Sequence, residues 1–249
     1  MKYFGLTDKG IVRLNNQDCF LTTEVRDRLV AVLCDGMGGH AAGELASKVA
    51  SETFLAEVSA GLGSRTNRKP NIPALLKNAC RSANHEVCEH ALLSPAFEGM
   101  GSTLVGLCTD KNGKAYIANV GDSRCYLLSR FTKRIRQITV DHSLVEEYVR
   151  AGIITPEEAR NHPKKNIITR AIGTGDPEPE ADIFKLHIQR GQALLLCSDG
   201  LSNSVPDKEI LNSYLQIPND PETLCRRLLD LAFQGGARDN VTMLVVVRV

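Results

Sequence analysis

Short runs of apolar and β-branched residues recur along the whole chain, and several are apolar without a break, such as 29–34, 193–197 and 243–247. An unbroken apolar run of roughly four to eight residues favours a strand that is buried on both faces. Such strands need cover on both sides, which indicates sheets with helices packed outside them. The predicted strands are 3–6, 19–24, 29–34, 103–108, 115–120, 124–128, 134–140, 183–188, 193–197 and 241–247.

Helical spacing of apolar residues is confined to a few long segments, which are 41–58, 72–91 and 221–234. In the last of these, Asp220 is predicted to cap the N-terminus, Pro221 to be the first helical residue and Gly235 to end the helix. Loops are expected at 59–71, 94–101 and 216–220. The predicted fold class is α+β, a four-layer α/β/β/α sandwich of two mostly antiparallel sheets flanked by helices.

The middle of the chain interrupts the series of strands. Ser143 and Glu146 have the spacing of a capping box that opens a short helix, and Gly152 closes that helix. Thr155 and Glu158 form a second box of the same kind. We therefore expect residues 143–180 to be an inserted flap within a single domain of residues 1–249.

The charge balance excludes one large class of function. The chain has 249 residues with 30 Lys plus Arg and 29 Asp plus Glu, a net charge of +1, whereas nucleic-acid binders usually carry a marked basic excess. No apolar run approaches the roughly 20 residues that a membrane-spanning helix needs, and the N-terminus lacks the apolar segment of a secretory signal. We expect a cytoplasmic monomer that neither binds nucleic acid nor inserts into a membrane.

The eight cysteines do not have the spacing of a zinc site, since no Cys-x2-Cys occurs. Those inside apolar runs are expected to be buried thiols, namely Cys34, Cys108, Cys125 and Cys197. A cysteine-nucleophile phosphatase is disfavoured because Cys125 and Arg130 miss the Cys-x5-Arg spacing by one residue. Neither a Gly-x-Ser-x-Gly nucleophile elbow nor a Walker lysine is found.

Aspartates recur at the ends of the predicted strands. Asp35 and Asp199 each follow an apolar run and precede a glycine, and further acids stand beside other strands, namely Asp18, Asp122 and Asp239. Each one alone could belong to a turn or a helix cap. Together they can converge on one edge of a sandwich, where the Gly36 carbonyl could face the same point. Oxygen ligands without His or Cys suit Mg²⁺ or Mn²⁺.

An ordered set of motifs then carries a resemblance to a known family. The set comprises Val12-Arg13-x-Asn15-x-x-Asp18, Asp35-Gly-Met-Gly-Gly39, Gly101-Ser-Thr-Leu-Val105, Gly121-Asp-Ser-Arg124, Asp141-His-Ser143, Ser198-Asp-Gly200 and Asp239-Asn-Val-Thr242. In this order the motifs resemble the metal-dependent protein serine/threonine phosphatases of the 2C type, most of all the stand-alone bacterial members. The resemblance runs from about Tyr3 to the C-terminus.

The resemblance implies a role for each acidic residue of the set. Asp35 matches the carboxylate that bridges two Mn or Mg ions, and the Gly36 carbonyl matches a ligand of one of them. Asp199 and Asp239 match ligands of the other ion, and Asp18 matches a residue that holds metal-bound water. Asp122 matches the ligand of a third, weaker metal, and Arg13 matches the guanidinium that grips the substrate phosphate.

The resemblance also implies a reaction and its partners. A water or hydroxide that bridges the two metals would attack phosphoserine or phosphothreonine in a phosphorylated protein, without a covalent phosphoenzyme. Such an enzyme would oppose a cognate Ser/Thr kinase in signalling. The alternative is a catalytically weak relative that binds phosphoproteins as a regulatory module.

Three positions leave alternatives open. Met37 stands where eukaryotic members carry a histidine assigned as the general acid, so a water on a third metal near Asp122 or the nearby His40 could protonate the leaving group. Gln17 stands where the family usually has Glu, which predicts weaker metal binding at the second site. Arg170 could anchor the flap near the active edge or form a salt bridge within the scaffold.

Overall fold

A computed structural model describes residues 1–39, 42–64, 70–175 and 178–249. Every predicted apolar run overlaps a strand in it, and the strand prediction is confirmed. The strands are β1 (Lys2–Asp8), β2 (Asp18–Val25), β3 (Arg28–Met37), β4 (Gly101–Ser102), β5 (Leu104–Asp110), β6 (Lys114–Val120), β7 (Arg124–Ser129), β8 (Arg134–Gln137), β9 (Asp182–His187), β10 (Gln192–Cys197) and β11 (Val241–Arg248). The α-helices are α1 (Ala42–Gly63), α2 (Ile72–Ala91), α3 (Leu144–Arg150), α4 (Pro156–Arg160), α5 (Asp199–Ser204), α6 (Asp207–Gln216) and α7 (Pro221–Gln234).

The strands form two sheets, and all of the pairings between them are antiparallel. The first sheet has the order β1-β11-β10-β7-β8, and the second has the order β2-β3-β5-β6-β9 with β4 paired to β3. The strands β6 and β7 are consecutive in the chain but belong to different sheets. The three residues between them therefore cross from one sheet to the other and do not form a hairpin.

Three apolar cores hold the layers together. One lies between the two sheets and contains Leu33, Leu107, Leu196 and Val246. A second joins the other face of the second sheet to α1 and α2, and a third joins the first sheet to α5, α6 and α7. The strands are thus apolar on both faces, as the unbroken runs predicted, and the α/β/β/α layering is confirmed.

Two of the predicted long helices have the expected bounds, and one does not. The helices α2 and α7 begin and end as predicted, and the Asp220 carboxylate accepts a hydrogen bond from the Thr223 amide as the N-cap. The prediction that α1 ends at residue 58 was wrong, because the helix continues to Gly63. The reason is packing: a Cβ at Gly61 would lie 2.4 Å from Leu75 Cδ1, so this glycine lets α1 and α2 approach closely.

The helices α5 and α6 were not predicted at all. Ser198 occupies the N-cap position of α5 without a side-chain cap hydrogen bond, and α6 follows after Pro206. In α6 the buried apolar face consists mainly of Ile210 and Tyr214, four residues apart. Such a short stripe does not stand out from a loop in sequence, and these helices owe their stability to packing against the first sheet.

The flap contains α3 and α4, and a bridge near its C-terminal end ties it to the sandwich. The capping box of Thr155 and Glu158 is complete, while the Ser143 hydroxyl accepts from the Glu146 amide at 3.4 Å. Isolated bridges pair Ser143 with Ile168 and Ser102 with Ile172. The second of these bridges fixes the end of the flap beside β4.

The cysteines are free thiols, and the four that were predicted to be buried, Cys34, Cys108, Cys125 and Cys197, are fully buried in the cores. Burial raises the pKa of the Cys125 thiol well above its usual range, which agrees with an inert core residue and not with a nucleophile. Within the described ranges, no helix is both long and apolar enough to cross a membrane.

Candidate metal and phosphate site

A pair of carboxylates on adjacent strands forms the centre of the site. Asp18 begins β2 and lies directly opposite Asp35 on β3 in the antiparallel ladder. Burial raises the pKa of Asp35 well above its usual range, and the charges of Asp18 and Asp199 raise it further. Asp35 therefore lies near two of the other predicted acids, Asp18 and Asp199.

The backbone of Asp35 is fixed from the neighbouring strand. Its amide donates to Thr103 Oγ1 at 3.0 Å, and its carbonyl accepts from the Thr103 amide at 2.8 Å and from Ser102 Oγ at 3.0 Å. Thr103 Oγ1 is in turn 2.7 Å from Ser123 Oγ. These contacts hold the end of β3 rigidly, so the Asp35 carboxylate is placed by the sheet and not by a flexible loop.

Asp18 has one satisfied carboxylate oxygen and one orphaned oxygen. Ser198 Oγ donates to Asp18 Oδ2 at 2.8 Å, whereas Asp18 Oδ1 is buried without a hydrogen-bond partner among the described residues. Burial raises the pKa of Asp18 to about 7, and the charges of Asp199 and Asp239 contribute in the same direction. A buried carboxylate oxygen without a donor is costly unless a cation or a proton meets it.

Asp199 is the first residue of α5, directly after β10. Its carboxylate accepts from Asn203 Nδ2 at 3.0 Å. Burial raises the pKa of Asp199 to about 6, with a further contribution from the charge of Asp239.

The two glycines that follow Asp35 and Asp199 allow close approach of backbones. A Cβ at Gly36 would lie 2.0 Å from the Gly43 carbonyl oxygen, and a Cβ at Gly200 would lie 1.9 Å from the Asn240 carbonyl oxygen. Among the glycines that follow Asp35, Gly38 has a positive φ of 125°, where the chain turns after β3. A larger residue at either position would push apart the elements that carry the aspartates.

Asp122 stands on the crossing between the two sheets. It is buried, and burial raises its pKa to about 8, with the charges of Asp199 and Asp141 adding to the effect. The preceding Gly121 has a φ of 104°. The turn that the sequence left open as an ordinary hairpin is therefore an inter-sheet link that brings a fourth carboxylate towards Asp199.

Arg13 reaches the cluster from the loop between β1 and β2. Its Nη2 donates to Asp239 Oδ2 at 2.7 Å, and both side chains are partly exposed. The hydrogen bond with Asp239 raises the pKa of the Arg13 guanidinium. The Asp239 carboxylate also accepts from the Asn240 amide at 2.8 Å. Arg13 thus presents a cation at the solvent edge of the acidic cluster.

The chemistry of this donor set fits divalent cations. Five aspartates and nearby backbone carbonyls supply oxygen only, which suits Mg²⁺ or Mn²⁺. Burial raises the pKa of four of them, and the charges of neighbouring aspartates raise it further. Together with the orphaned oxygen of Asp18, this is expected for crowded carboxylates that a cation would stabilise. Among the described residues, no three acidic, His or Cys side chains are gathered tightly around one point. The cluster is a looser one, in which Asp18 faces Asp35 and the charges of Asp122, Asp199 and Asp239 act on Asp35.

A cavity of about 550 Å³ opens beside Asp122 and Asp199. Its outer wall is the flap, through residues of α3, α4 and Lys165, and its inner wall includes α5. Arg124 and Asp141 line it as an ion pair at 2.7 Å. The flap therefore borders the acidic site directly.

The structure decides between the two roles considered for Arg170. Its Nη1 is 3.4 Å from Asp182 Oδ1 on β9, which is a salt bridge within the scaffold. His142 lies nearby: its Nδ1 accepts from the Gly121 amide at 3.1 Å, and its Nε2 is 3.2 Å from Asp182 Oδ2. His40 lies outside the described residues.

Several residues that the sequence analysis quoted only as parts of motifs organise the site. These are Thr103, Ser198 and Asn240, each next to or facing a predicted aspartate. Their position beside the predicted aspartates in the motifs could have indicated this role, since a polar residue beside a buried carboxylate needs a hydrogen-bond partner. Which carboxylate each one contacts depends on strands far apart in the chain.

Comparison with known sequences gives consistent matches. The sequence model of the family described as protein phosphatase 2C matches residues 11–218. The serine/threonine protein phosphatase PstP of Mycobacterium tuberculosis is 39% identical over 247 residues, which cover 98% of this chain and 44% of that protein. The serine/threonine phosphatase stp of Listeria monocytogenes is 38% identical over 249 residues, which cover 97% of this chain and 94% of that protein. The chain thus spans less than half the length of the mycobacterial relative.

A solved structure gives the same result for the fold. The catalytic domain of the serine/threonine protein phosphatase PstP, in complex with two manganese ions, matches with a TM-score of 0.82 at 36% sequence identity. The match covers 98% of this chain and 96% of that chain. The two-sheet sandwich is therefore shared over nearly the whole length.

Proposed function

The chain belongs to the protein phosphatase 2C family, and from this membership we propose that it is a metal-dependent phosphatase that hydrolyses phosphoserine and phosphothreonine in proteins. The observation that carries the proposal is that four further aspartates lie near enough to Asp35 for their charges to raise its pKa. They are Asp18, Asp122, Asp199 and Asp239. A cluster of this kind, with Arg13 at its edge, suits cations inside and a phosphate outside.

The proposed metal ligands follow from the same cluster. Asp35 would contribute to two Mn or Mg sites, the Gly36 carbonyl to one and the pair Asp199 and Asp239 to the other. Asp18, with its orphaned oxygen, would complete the ligand set directly or through water. Asp122 would serve a third site together with Asp199. The relative whose structure contains two manganese ions supports metal binding by this fold.

The protein's own groups position the substrate. Divalent cations, when bound, would supply Lewis-acid stabilisation of the phosphoryl oxygens and an activated water as nucleophile. Arg13 offers a planar guanidinium fork that can hold two non-reacting phosphate oxygens, which an ammonium group cannot do as well. Because Arg13 is half-exposed and paired with Asp239, a substrate phosphate could exchange with that pairing. Met37 has no proton to donate to the leaving oxygen.

The biological setting is part of the proposal. A phosphatase of this type would act on phosphoproteins in the cytoplasm, oppose a Ser/Thr kinase in signalling, and work as a monomer. The single domain of residues 1–249 with its flap is supported by the three cores, which share the two sheets.

The test is hydrolysis of an aryl phosphate and of a phosphothreonine peptide with Mn²⁺, with Mg²⁺ and with excess EDTA. We expect activity with either metal and none with EDTA. Asp239→Asn should lower kcat at least 100-fold, whereas the matched surface variant Asp230→Asn should behave as wild type. Arg13→Ala should mainly raise KM.

Other outcomes would contradict the proposal in distinct ways. Activity that persists in EDTA would overturn the metal assignment. Tight binding of the phosphopeptide without hydrolysis would favour the regulatory, phosphoprotein-binding alternative.

A further inference from the structure

The loop between β1 and β2 exposes three aliphatic side chains around Arg13. Ile11 and Val12 are each 63% exposed and Leu14 is 81% exposed. Scattered apolar residues on a surface need no explanation, but three within four positions, beside a cation at the edge of an acidic site, form a local patch. Nothing in the proposed chemistry uses these side chains.

The loop that carries them is held in place from below by one residue. The buried Asn240 donates from Nδ2 to the carbonyls of Lys9 and Asn15, both at 2.9 Å, and accepts from the Gln17 amide at 2.8 Å. The Ile11 amide also donates to the Ala237 carbonyl at 3.0 Å. With its backbone bonded on both sides of the patch, the loop presents the aliphatic groups in one preformed arrangement.

The patch forms one wall of a groove of about 340 Å³. Val12, Arg13, Leu14 and Gln17 line the groove from the loop, and residues 38–39 line it from the end of β3. Arg13 lies between the two aliphatic side chains and is itself bonded to Asp239. Arg13 thus joins the groove to Asp239 at the edge of the acidic cluster, so a peptide in the groove would lie beside the proposed phosphate position.

We propose that this groove selects phosphopeptides that carry an aliphatic side chain one or two positions from the phosphorylated residue. That aliphatic side chain packs on Val12 and Leu14 while Arg13 binds the phosphate. This inference rests on the proposed function. Residues of an extended peptide advance roughly 3.3 Å each, so neighbouring side chains reach neighbouring residues of the loop. Continuity with Arg13 favours a phosphopeptide over a lipid surface or a second copy of the chain.

The experiment uses five phosphoserine peptides with serine at the flanking positions, four of them with a single leucine at −2, −1, +1 or +2. We expect at least one leucine peptide to show about 5-fold higher kcat/KM than the all-serine peptide, through KM, because an open groove buries only part of a side chain. The double variant Val12→Ser/Leu14→Ser should lose this preference. The matched control Leu92→Ser removes an equally exposed leucine at the end of α2 and should keep it.

Hydrolysis of an aryl phosphate should be the same in all of these proteins, because that substrate has no flanking residues. If no leucine position is preferred, or if the preference survives in the double variant, the inference is wrong. If the aryl phosphate is not hydrolysed, the proposed function fails. The peptide preference can then still be measured as binding of the fluorescently labelled peptides to the protein in Mg²⁺, by fluorescence anisotropy. The inference is also wrong if all peptides bind equally and the double variant instead loses binding to anionic vesicles. The same holds if the peptides bind equally and the double variant loses the ability to form dimers.

Discussion

Asp18 and Asp35 lie directly opposite each other on the antiparallel strands β2 and β3. Side chains at such positions have Cβ atoms roughly 4.5–5.5 Å apart, and like charges there destabilise the sheet. Burial raises the pKa of both groups, and the charge of Asp18 adds to the effect at Asp35. The two strands therefore carry a built-in electrostatic cost that a bound cation would relieve, and this cost leads to measurable consequences.

Asp35→Asn should stabilise the metal-free protein while it abolishes activity. Asparagine has nearly the same shape as aspartate but is neutral, so folding no longer requires either a buried charge beside Asp18 or a proton bound by Asp35. In EDTA we expect Tm to rise by roughly 2–4 °C, which corresponds to about 1 kcal/mol for a chain of this size. Differential scanning calorimetry measures it.

The surface variant Asp230→Asn is the control for that measurement and should leave Tm unchanged. In Mg²⁺ the order should reverse, because the wild type gains binding energy that the variant loses. A variant that is less stable than wild type in EDTA would contradict the idea that the carboxylates repel one another.

The stability of the metal-free protein should fall as pH rises from 6.5 to 8.5. The folded-state pKa is raised to about 7 at Asp18 and to about 8 at Asp122, far above the value of about 3.9 in the unfolded chain. The folded state therefore holds protons that the unfolded state has lost, and this stabilisation disappears as pH passes the folded pKa values. Burial lowers the pKa of His142 below its usual value, so this histidine makes the fold more stable as pH rises, but only below about pH 6.5. It therefore does not offset the decline between pH 6.5 and 8.5.

The measurement is Tm against pH in EDTA and again in Mg²⁺. Cations should replace the protons, so the decline with pH should be shallower when Mg²⁺ is present. Identical slopes in the two series would show that other groups, such as the thiols, cause the pH dependence.

Gln17→Glu should lower the concentration of Mn²⁺ needed for half-maximal activity. Gln17 lies beside the cluster, where its backbone carbonyl accepts from the Gly36 amide at 3.1 Å and its Nε2 is 3.5 Å from the Gly38 carbonyl. An added carboxylate there increases the attraction for a cation. A titration of activity against Mn²⁺ measures the effect, and an unchanged midpoint would show that position 17 does not influence the metal sites.

Asn240→Ala should both destabilise the fold and disturb the Arg13 loop. The change leaves two carbonyls and one amide without their partner, which costs roughly 2 kcal/mol. We expect a lower Tm and a higher KM for phosphopeptides. Asn240→Asp keeps an acceptor for the Gln17 amide but has no donor for the two carbonyls. This variant should therefore leave the Gln17 amide bonded and have a smaller effect than alanine.

Asn112→Ala, in an exposed turn, is the control and should change neither quantity. Hydrogen exchange at the Gln17 amide provides an independent reading, because that amide loses its acceptor only in the alanine variant. Unchanged exchange in Asn240→Ala would contradict the role of Asn240 as the anchor of the loop.

Features that depend on neighbours along the chain were readable from the sequence. The helices α2 and α7 have the predicted bounds because their apolar stripes and caps lie within a few residues of each other. The strands were found because burial on both faces leaves an unbroken apolar run. Position 61 could not be read in this way, since a helical glycine there makes sense only once Leu75 of α2 packs against it.

The sequence by itself determined the layered α+β class, the residues of the acidic set and its resemblance to the 2C phosphatases. Only the tertiary structure decided how those residues meet: that Asp18 faces Asp35, that Ser198 binds Asp18 across 180 positions, and that Asn240 fixes the loop of Arg13. Pairing between distant strands depends on which sheet each strand joins and in which register. Those choices follow from the burial of whole faces, which no local pattern records.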